Sequence, residues 1–302
     1  MGKNTLIEWT HHTFNGWEGC QKVGPGCDHC YAETRDARFG GGHWGPHAAR
    51  RRTGARNWNQ PRKWDREAAA LGERHRVFCS SLSDVMDTHA SVLPEWRRDL
   101  AALIRATPNL DWLLLTKRVG NAERILREMF PEGVPANLWL GATIVNQEEA
   151  NRDIPKLLRV KGELGISIVF LSMEPLLGPV VLPPGVLGEC RCNVEAEDGA
   201  GMHDGRCPAT RPRPISWVIA GGESGGKARP SSPDWYRMIR DRCTDAGVPF
   251  LFKQWGEWAP LPPEGVAKPS TVRTVGGRSM ERVGKAAAGR LLDGVKYDGV
   301  PW

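Results

Sequence analysis

Asp111-Trp112-Leu113-Leu114-Leu115-Thr116-Lys117-Arg118 is an apolar run that breaks off into polar side chains. A run this short, bounded in this way, reads as a buried strand. The same form recurs along the chain. Arg76 to Ser81, Leu138 to Thr143, Ile166 to Leu171, Ile215 to Ala220 and Val248 to Phe252 are expected strands, each leading into polar residues. Thr5 to Trp9 is expected as the first strand of the set. Between them lie stretches with helical spacing: Pro94 through Ile104, Ala122 to Met129, Gln147 to Leu158 and Pro233 to Ala246. Strands alternating with helices predict a parallel sheet of βα units. The expected fold class is α/β, a partial (βα) TIM-type barrel of about six to seven parallel strands. In a barrel the carboxyl ends of the strands converge on one rim, where active sites lie. Ser80, Thr116, Thr143, Glu174, Glu223 and Lys253 are the rim candidates. Taken singly, each reads first as a helix cap or a loop polar group. Ser83, Asp84 and Ser232 are candidate caps of that kind.

Upstream of this pattern lies Gly19-Cys20-Gln21-Lys22-Val23-Gly24-Pro25-Gly26-Cys27-Asp28-His29-Cys30-Tyr31, a Cys-x6-Cys-x2-Cys loop. Gly24, Pro25 and Gly26 mark it as a tight turn, not a core strand. Such a loop can point three thiolates at one centre. Structural zinc sites close with four ligands, whereas an open position marks a reactive site. A cubane iron–sulfur cluster is normally held by four thiolates, so three leave one iron free for a small molecule. The rival reading is zinc, completed by His11, His12 or His29.

The cysteine loop, with Asn15-Gly16-Trp17 before it and Tyr31-Ala32-Glu33 after, resembles the phage three-cysteine-motif proteins, which are similar to the radical S-adenosylmethionine (SAM) superfamily. The first gap is three residues longer than the superfamily's usual Cys-x3-Cys-x2-Cys. Leu171-Ser172-Met173-Glu174-Pro175-Leu176, Gly221-Gly222-Glu223-Ser224-Gly225 and Phe252-Lys253-Gln254-Trp255-Gly256 extend the resemblance over most of the chain. It implies a 4Fe–4S cluster on Cys20, Cys27 and Cys30, SAM as cofactor, and an electron donor as partner. By the same resemblance His29 and Tyr31 face the adenine. Gly221 and Gly222 allow the backbone close to the cofactor. The remaining rim residues meet ribose, methionine or substrate.

A second cysteine group, Cys190-x-Cys192-x10-His203-x3-Cys207, lies in an acidic, Gly-rich insertion at 186–213 without a core pattern. Four such ligands match a closed zinc site; the alternative is a loop with chance cysteines. Cys79 and Cys243 stand in apolar contexts and are expected as buried bystanders. Residues 1–259 form the expected barrel domain and 260–302 a basic C-terminal extension with a Pro-rich start.

The chain has 302 residues, a net charge of +6 and a pI near 9.0. Residues 34–66 interleave Arg35, Arg38, Arg50, Arg51, Arg52, Arg56, Arg62, Lys63 and Arg66 with Trp44, Trp58 and Trp64. Arginines for phosphates and rings for bases suit a DNA or RNA surface; a solvated loop is the alternative. The thirteen tryptophans suggest stacking surfaces beyond what a core needs. No apolar run approaches the roughly 20 residues of a membrane helix. The start of the chain is polar, so a cytoplasmic location is expected. The function expected is cleavage of SAM to a 5′-deoxyadenosyl radical for repair or modification of a nucleic-acid base. Alternatives are a non-catalytic, zinc-stabilised nucleic-acid-binding protein, or a radical enzyme acting on a peptide or small molecule.

Overall fold

The computed structural model describes residues 5–188, 213–261 and 269–301. The elements, in chain order, are β1 (His12–Phe14), β2 (Trp17–Glu18), α1 (Tyr31–Arg38), β3 (Arg51–Arg52), α2 (Ala55–Trp58), α3 (Gln60–Leu71), β4 (His75–Cys79) and α4 (Pro94–Arg105). β5 (Leu110–Thr116), α5 (Ala122–Met129), β6 (Leu138–Thr143), α6 (Gln147–Leu164), β7 (Ile168–Met173) and β8 (Trp217–Gly221) follow. α7 (Pro233–Asp245), β9 (Phe250–Gln254), β10 (Trp258–Pro260), β11 (Val272–Val275), β12 (Arg278–Arg282) and α8 (Lys285–Ala288) complete the chain.

Seven strands, β1, β4, β5, β6, β7, β8 and β9, form one sheet in that order, every neighbouring pair parallel. The sheet is a half-barrel, and the chain is α/β as expected. Helices cover its outer face. Trp64 of α3, Leu100 of α4, Ile125 of α5, Ile154 of α6 and Tyr236 of α7 share a core with strand residues such as Trp112, Leu140 and Val169. Residues of the opposite strand parity form a separate cluster on the inner face: Trp9, Phe78, Leu113, Trp139, Phe170 and Trp217. Trp217 meets Trp139 and Trp9 edge to face there, the former at 6.3 Å and 85°, which suits their quadrupoles. The tryptophan surplus therefore serves the core; nine tryptophans are buried among the described residues.

Several expectations need correction. Thr5 to Trp9 is not a strand. The Thr10 hydroxyl takes the place of ladder groups there, donating to Arg76 O at 2.8 Å and accepting from Phe78 N–H at 3.0 Å. Trp9 then turns into the inner cluster, and pairing begins only at His12. β7, β8 and β9 start two residues later than their apolar runs, because Ile166, Ile215 and Val248 pack into the outer core before pairing begins. α6 continues to Leu164 and ends at Gly165, in left-handed backbone at φ 62°. The residues of the expected zinc loop, Cys190, Cys192, His203 and Cys207, lie outside the described residues.

The C-terminal region is tied to the sheet. β10, β12 and β11 form an antiparallel three-stranded sheet, with Met280 fully buried. Residues 297–299 run antiparallel along β9: Phe252 N–H donates to Tyr297 O and Gly299 N–H to Phe250 O, both at 3.0 Å. The open edge of β9 is thereby covered. Arg278 pairs with Asp234, and Arg290 with Asp298.

The inner face leaves no room at Gly141, where a Cβ would overlap the Phe170 ring. Overpacked cores lose stability. Gly141→Ala is expected to lower unfolding stability by about 1–3 kcal/mol, read as a lower denaturant midpoint with unchanged slope.

Candidate active site

Strand parity builds the cavity. On β4, Phe78 is followed two residues on by Ser80, and on β6 Trp139 by Gly141 and Thr143. On β7, Phe170 leads to Ser172 and Glu174. Rings thus fill the inner face toward the amino ends, while shorter polar side chains take the same column at the carboxyl ends. Above the rings a cavity of about 560 Å³ remains. Cys20, Cys27, Cys30, Tyr31, Ser80 and Thr116 all line it, as do Thr143, Glu174, Gly222, Glu223 and Lys253. Gly221 stands just outside that set.

The cysteine loop leaves β1 at the carboxyl end of the sheet and is pinned at its root by Asn15. Its side chain accepts the Leu82 N–H at 2.7 Å and donates to Ser81 Oγ at 3.0 Å. Gly19 has φ 108° and no room for a side chain beside His43, which limits the position to glycine. A single 3₁₀ turn over Pro25–Cys27 buries Cys27. Cys30 precedes the first turn of α1. All three thiols are free, Cys20 and Cys30 partly accessible. Burial pushes the Cys20 thiol up to about 11.

Two arginines that sequence reading did not single out hold this loop. Arg118, 9% exposed, donates to Asp84 at 2.9 Å, to Gln21 O at 2.8 Å and to the Cys20 sulfur at 3.4 Å. Asp84 also accepts from Thr116 Oγ1 at 2.9 Å and from Met86 N–H at 2.9 Å. It is therefore a hub of the rim and not only a cap, and the Thr116 hydroxyl is already engaged. Arg229 donates to Pro25 O at 2.9 Å, to Asp28 at 3.0 Å and to both oxygens of Glu223, at 2.7 and 2.9 Å. His29 Nδ1 lies 3.1 Å from the same carboxylate. Burial favours the neutral acid at Glu223, but the Arg229 and His29 hydrogen bonds outweigh it and hold the carboxyl below its usual range. Glu223 thus anchors the loop from the far side of the sheet.

The other rim residues divide. Lys253 pairs with Glu174 at 3.2 Å, and Ser172 Oγ lies 3.3 Å from Glu174. Thr143 Oγ1 and Gln254 Oε1 are buried without a partner among the described residues. Ser80 takes left-handed backbone at φ 69°, uncommon outside glycine and found at strained functional positions. Tyr31 is half exposed, its hydroxyl donating to Ser81 O at 2.7 Å. The room left by the paired glycines is taken by the chain itself. A side chain at Gly222 would overlap the Trp255 carbonyl, and one at Gly221 would meet Glu174.

His11 and His12 are engaged away from the loop. His11 accepts the Arg76 N–H at 2.8 Å, and His12 stacks on Trp64 at 4.4 Å. Among the described residues no three His, Cys, Asp or Glu stand close enough to hold one metal ion. A cubane spreads its thiolates over separate irons, so its ligands stand wider apart than those of a single ion. Three free thiols around one cavity are soft donors that fit such a group.

The Arg/Trp segment turns Trp64 and Arg50 inward but keeps most of its basic side chains at the surface. Trp64 is buried, and Trp58 packs edge-on against Phe14 beneath Arg52. Arg50 is fully buried against Asp87, while Arg35 and Arg51 pair with Glu18. Arg35 and Arg51 stay exposed despite that pairing, as do Arg38, Arg56, Arg62, Lys63 and Arg66. Cys79 and Cys243 are buried, as expected, and burial pushes both thiols up to about 12.

Arg229→Met leaves Glu223, 6% exposed, facing the loop without its cation. Breaking a fully buried pair costs about 3–5 kcal/mol; Arg229 is 30% exposed, so about 2 kcal/mol is expected at neutral pH. The wild-type Glu223 contribution is present above its unfolded value of 4.5 and fades as pH falls through the depressed native value. In the variant, burial raises the carboxyl instead. The stability gap should therefore narrow from pH 7 toward pH 4 in denaturant titrations; a gap independent of pH would assign the loss to something other than Glu223.

Among the described residues no helix is long and apolar enough to cross a membrane. No curated protein and no solved structure matches the chain. Residues 4–301 match the family described as "Protein of unknown function (DUF5131)", and the chain belongs to that family.

Proposed function

We propose that the protein is a radical SAM enzyme on a partial TIM-type barrel, acting on a DNA or RNA base in repair or modification. One observation carries the reading: three free thiols share a cavity with a polar rim at the carboxyl end of a parallel sheet. Cys20, Cys27 and Cys30 are the residues to hold a 4Fe–4S cluster, and three thiolates leave one iron for the amino and carboxylate groups of SAM. When bound, the two cofactors supply one-electron cleavage of the sulfonium to methionine and a 5′-deoxyadenosyl radical.

The chain's own residues bind and orient. Arg118 and Arg229 fix the loop from two sides. Glu174 and Lys253 present an acceptor and a donor to ribose, methionine or substrate. Thr143 offers a buried hydroxyl with no other partner among the described residues. The ring-filled inner face keeps water from below. An external one-electron donor completes the scheme, and a cytoplasmic location keeps the thiols reduced. Zinc on Cys190, Cys192, His203 and Cys207 belongs to the same proposal.

The substrate class is supported at α1. Arg35 lines the cavity. With Arg38 it lies over the Phe39 ring, at 5.4 and 5.9 Å, and that ring is 71% exposed. Cations beside an exposed ring suit a single-stranded nucleic acid.

Anaerobically reconstituted protein is expected to carry four irons per chain and to release 5′-deoxyadenosine with SAM and dithionite. Cys27→Ala should abolish that release. A colourless protein that takes up no iron overturns the reading. For the substrate, binding of single-stranded DNA or RNA should weaken with salt, and Phe39→Ala should weaken it by about tenfold. Binding indifferent to both salt and Phe39 removes nucleic acid from the proposal.

A further inference from the structure

Among the described residues, Arg118 is the one charged side chain hydrogen-bonded to a sulfur of the cysteine loop. Its position is fixed from three directions. Nη1 is held by Asp84 at 2.9 Å, and Nη2 by Gln21 O at 2.8 Å. Its own backbone N–H donates to Thr116 Oγ1 at 2.8 Å. Asp84, 5% exposed, cannot swing away, because Thr116, Met86 and the Lys117 N–H all donate to it. Asp87 stands 3.9 Å from Arg118 Nε but is taken up by Arg50. The guanidinium thus stands between a carboxylate and a thiol, with the second N–H of Nη2 directed at the sulfur. Arginine keeps its charge under all ordinary conditions, and its planar fork is rigid. The loop could be braced through Gln21 O alone; the bond to Sγ is additional.

We infer that Arg118 sets the reduction potential of the metal group held through Cys20, raising it by donating to the ligand sulfur. The inference rests on the cluster reading above. Reduction delivers one electron from an external low-potential reductant, and no bond to the protein is made or broken. The added negative charge is shared by the ligand sulfurs, so a donor and positive charge at one of them stabilise the reduced form more than the oxidised. Hydrogen bonds to sulfur and local charge are established determinants of such potentials. Arg118 is a positioning residue in this scheme; it touches the ligand, not the substrate. The carboxylate behind it limits the effect, so removing each partner has opposite consequences.

The test uses full-length protein reconstituted without oxygen: wild type, Arg118→Met, Arg118→Lys and Asp84→Asn. Iron per chain is measured first, then the midpoint potential in a dye-mediated titration. Arg118→Met should keep its iron and become harder to reduce. At the wild-type midpoint its reduced-to-oxidised ratio should fall about tenfold, equivalent to 59 mV for one electron. Arg118→Lys should lie between the two. Asp84→Asn leaves the guanidinium less compensated and should shift the potential the other way, which keeps the inference testable if Arg118→Met does not fold. Equal potentials among iron-loaded proteins overturn it while leaving the cluster reading intact. Loss of iron from Arg118→Met with no shift in the loaded fraction reduces Arg118 to a brace for the loop, and also overturns it. Wild-type protein that binds no iron removes the cluster reading and this inference together.

Discussion

A sheet that curls without closing has an inner surface that must be filled, and the filling decides where a cavity can exist. In this chain the work falls to large rings at one end of each inner column, Phe78, Trp139, Phe170 and Trp217 among them. Two to four residues further along the same columns the side chains shorten and become polar: Ser80, Thr143 and Ser172. Side-chain alternation in a strand allows one column to change character along its length without disturbing the helix-packed face behind it. The cavity is a by-product of that change, and its depth is set by where the rings stop.

The cysteine loop sits over this opening with little hydrophobic anchorage of its own. Its glycines and proline permit the turn but contribute few contacts. What fixes it are charged side chains from distant strands. Arg118 reaches from the exit of β5, and Arg229 from the region between β8 and α7. Each arginine carries a carboxylate partner, Asp84 and Glu223, that is itself buried. Desolvating these charges is tolerable only because each pair is also hydrogen-bonded to backbone. The loop is therefore coupled to both halves of the sheet.

Much of the architecture could be read from the chain. Short apolar runs ending in polar residues located all but the first of the sheet strands, because a strand buried on both faces leaves that signature. Thr10 hid the true first strand: its hydroxyl stands in for ladder groups, and no periodicity reports that. The gathering of Cys20, Ser80, Thr143, Glu174 and Lys253 around one cavity also followed from the strand-end rule. The partnerships did not. Asp84 with Arg118 and Glu223 with Arg229 depend on turns whose direction the sequence does not encode in any local spacing. The packing of Trp255 and Glu174 against the glycines at 221 and 222 was not readable either, since no local spacing reports which distant residue closes on a glycine. Trp58 and Trp64 were equally opaque, since helices as short and as charged as α2 and α3 give weak signals about which side is inward.

The pairing of residues 297–299 with β9 bears on the order in which the molecule can be completed. Trp217, near the centre of the inner cluster, donates its indole N–H to Gly299 O at 2.7 Å. Until those residues leave the ribosome, one margin of the sheet stays unpaired and that indole lacks its acceptor. Any state in which residues 297–299 have not docked presents an unpaired β margin, the form of surface most open to self-association.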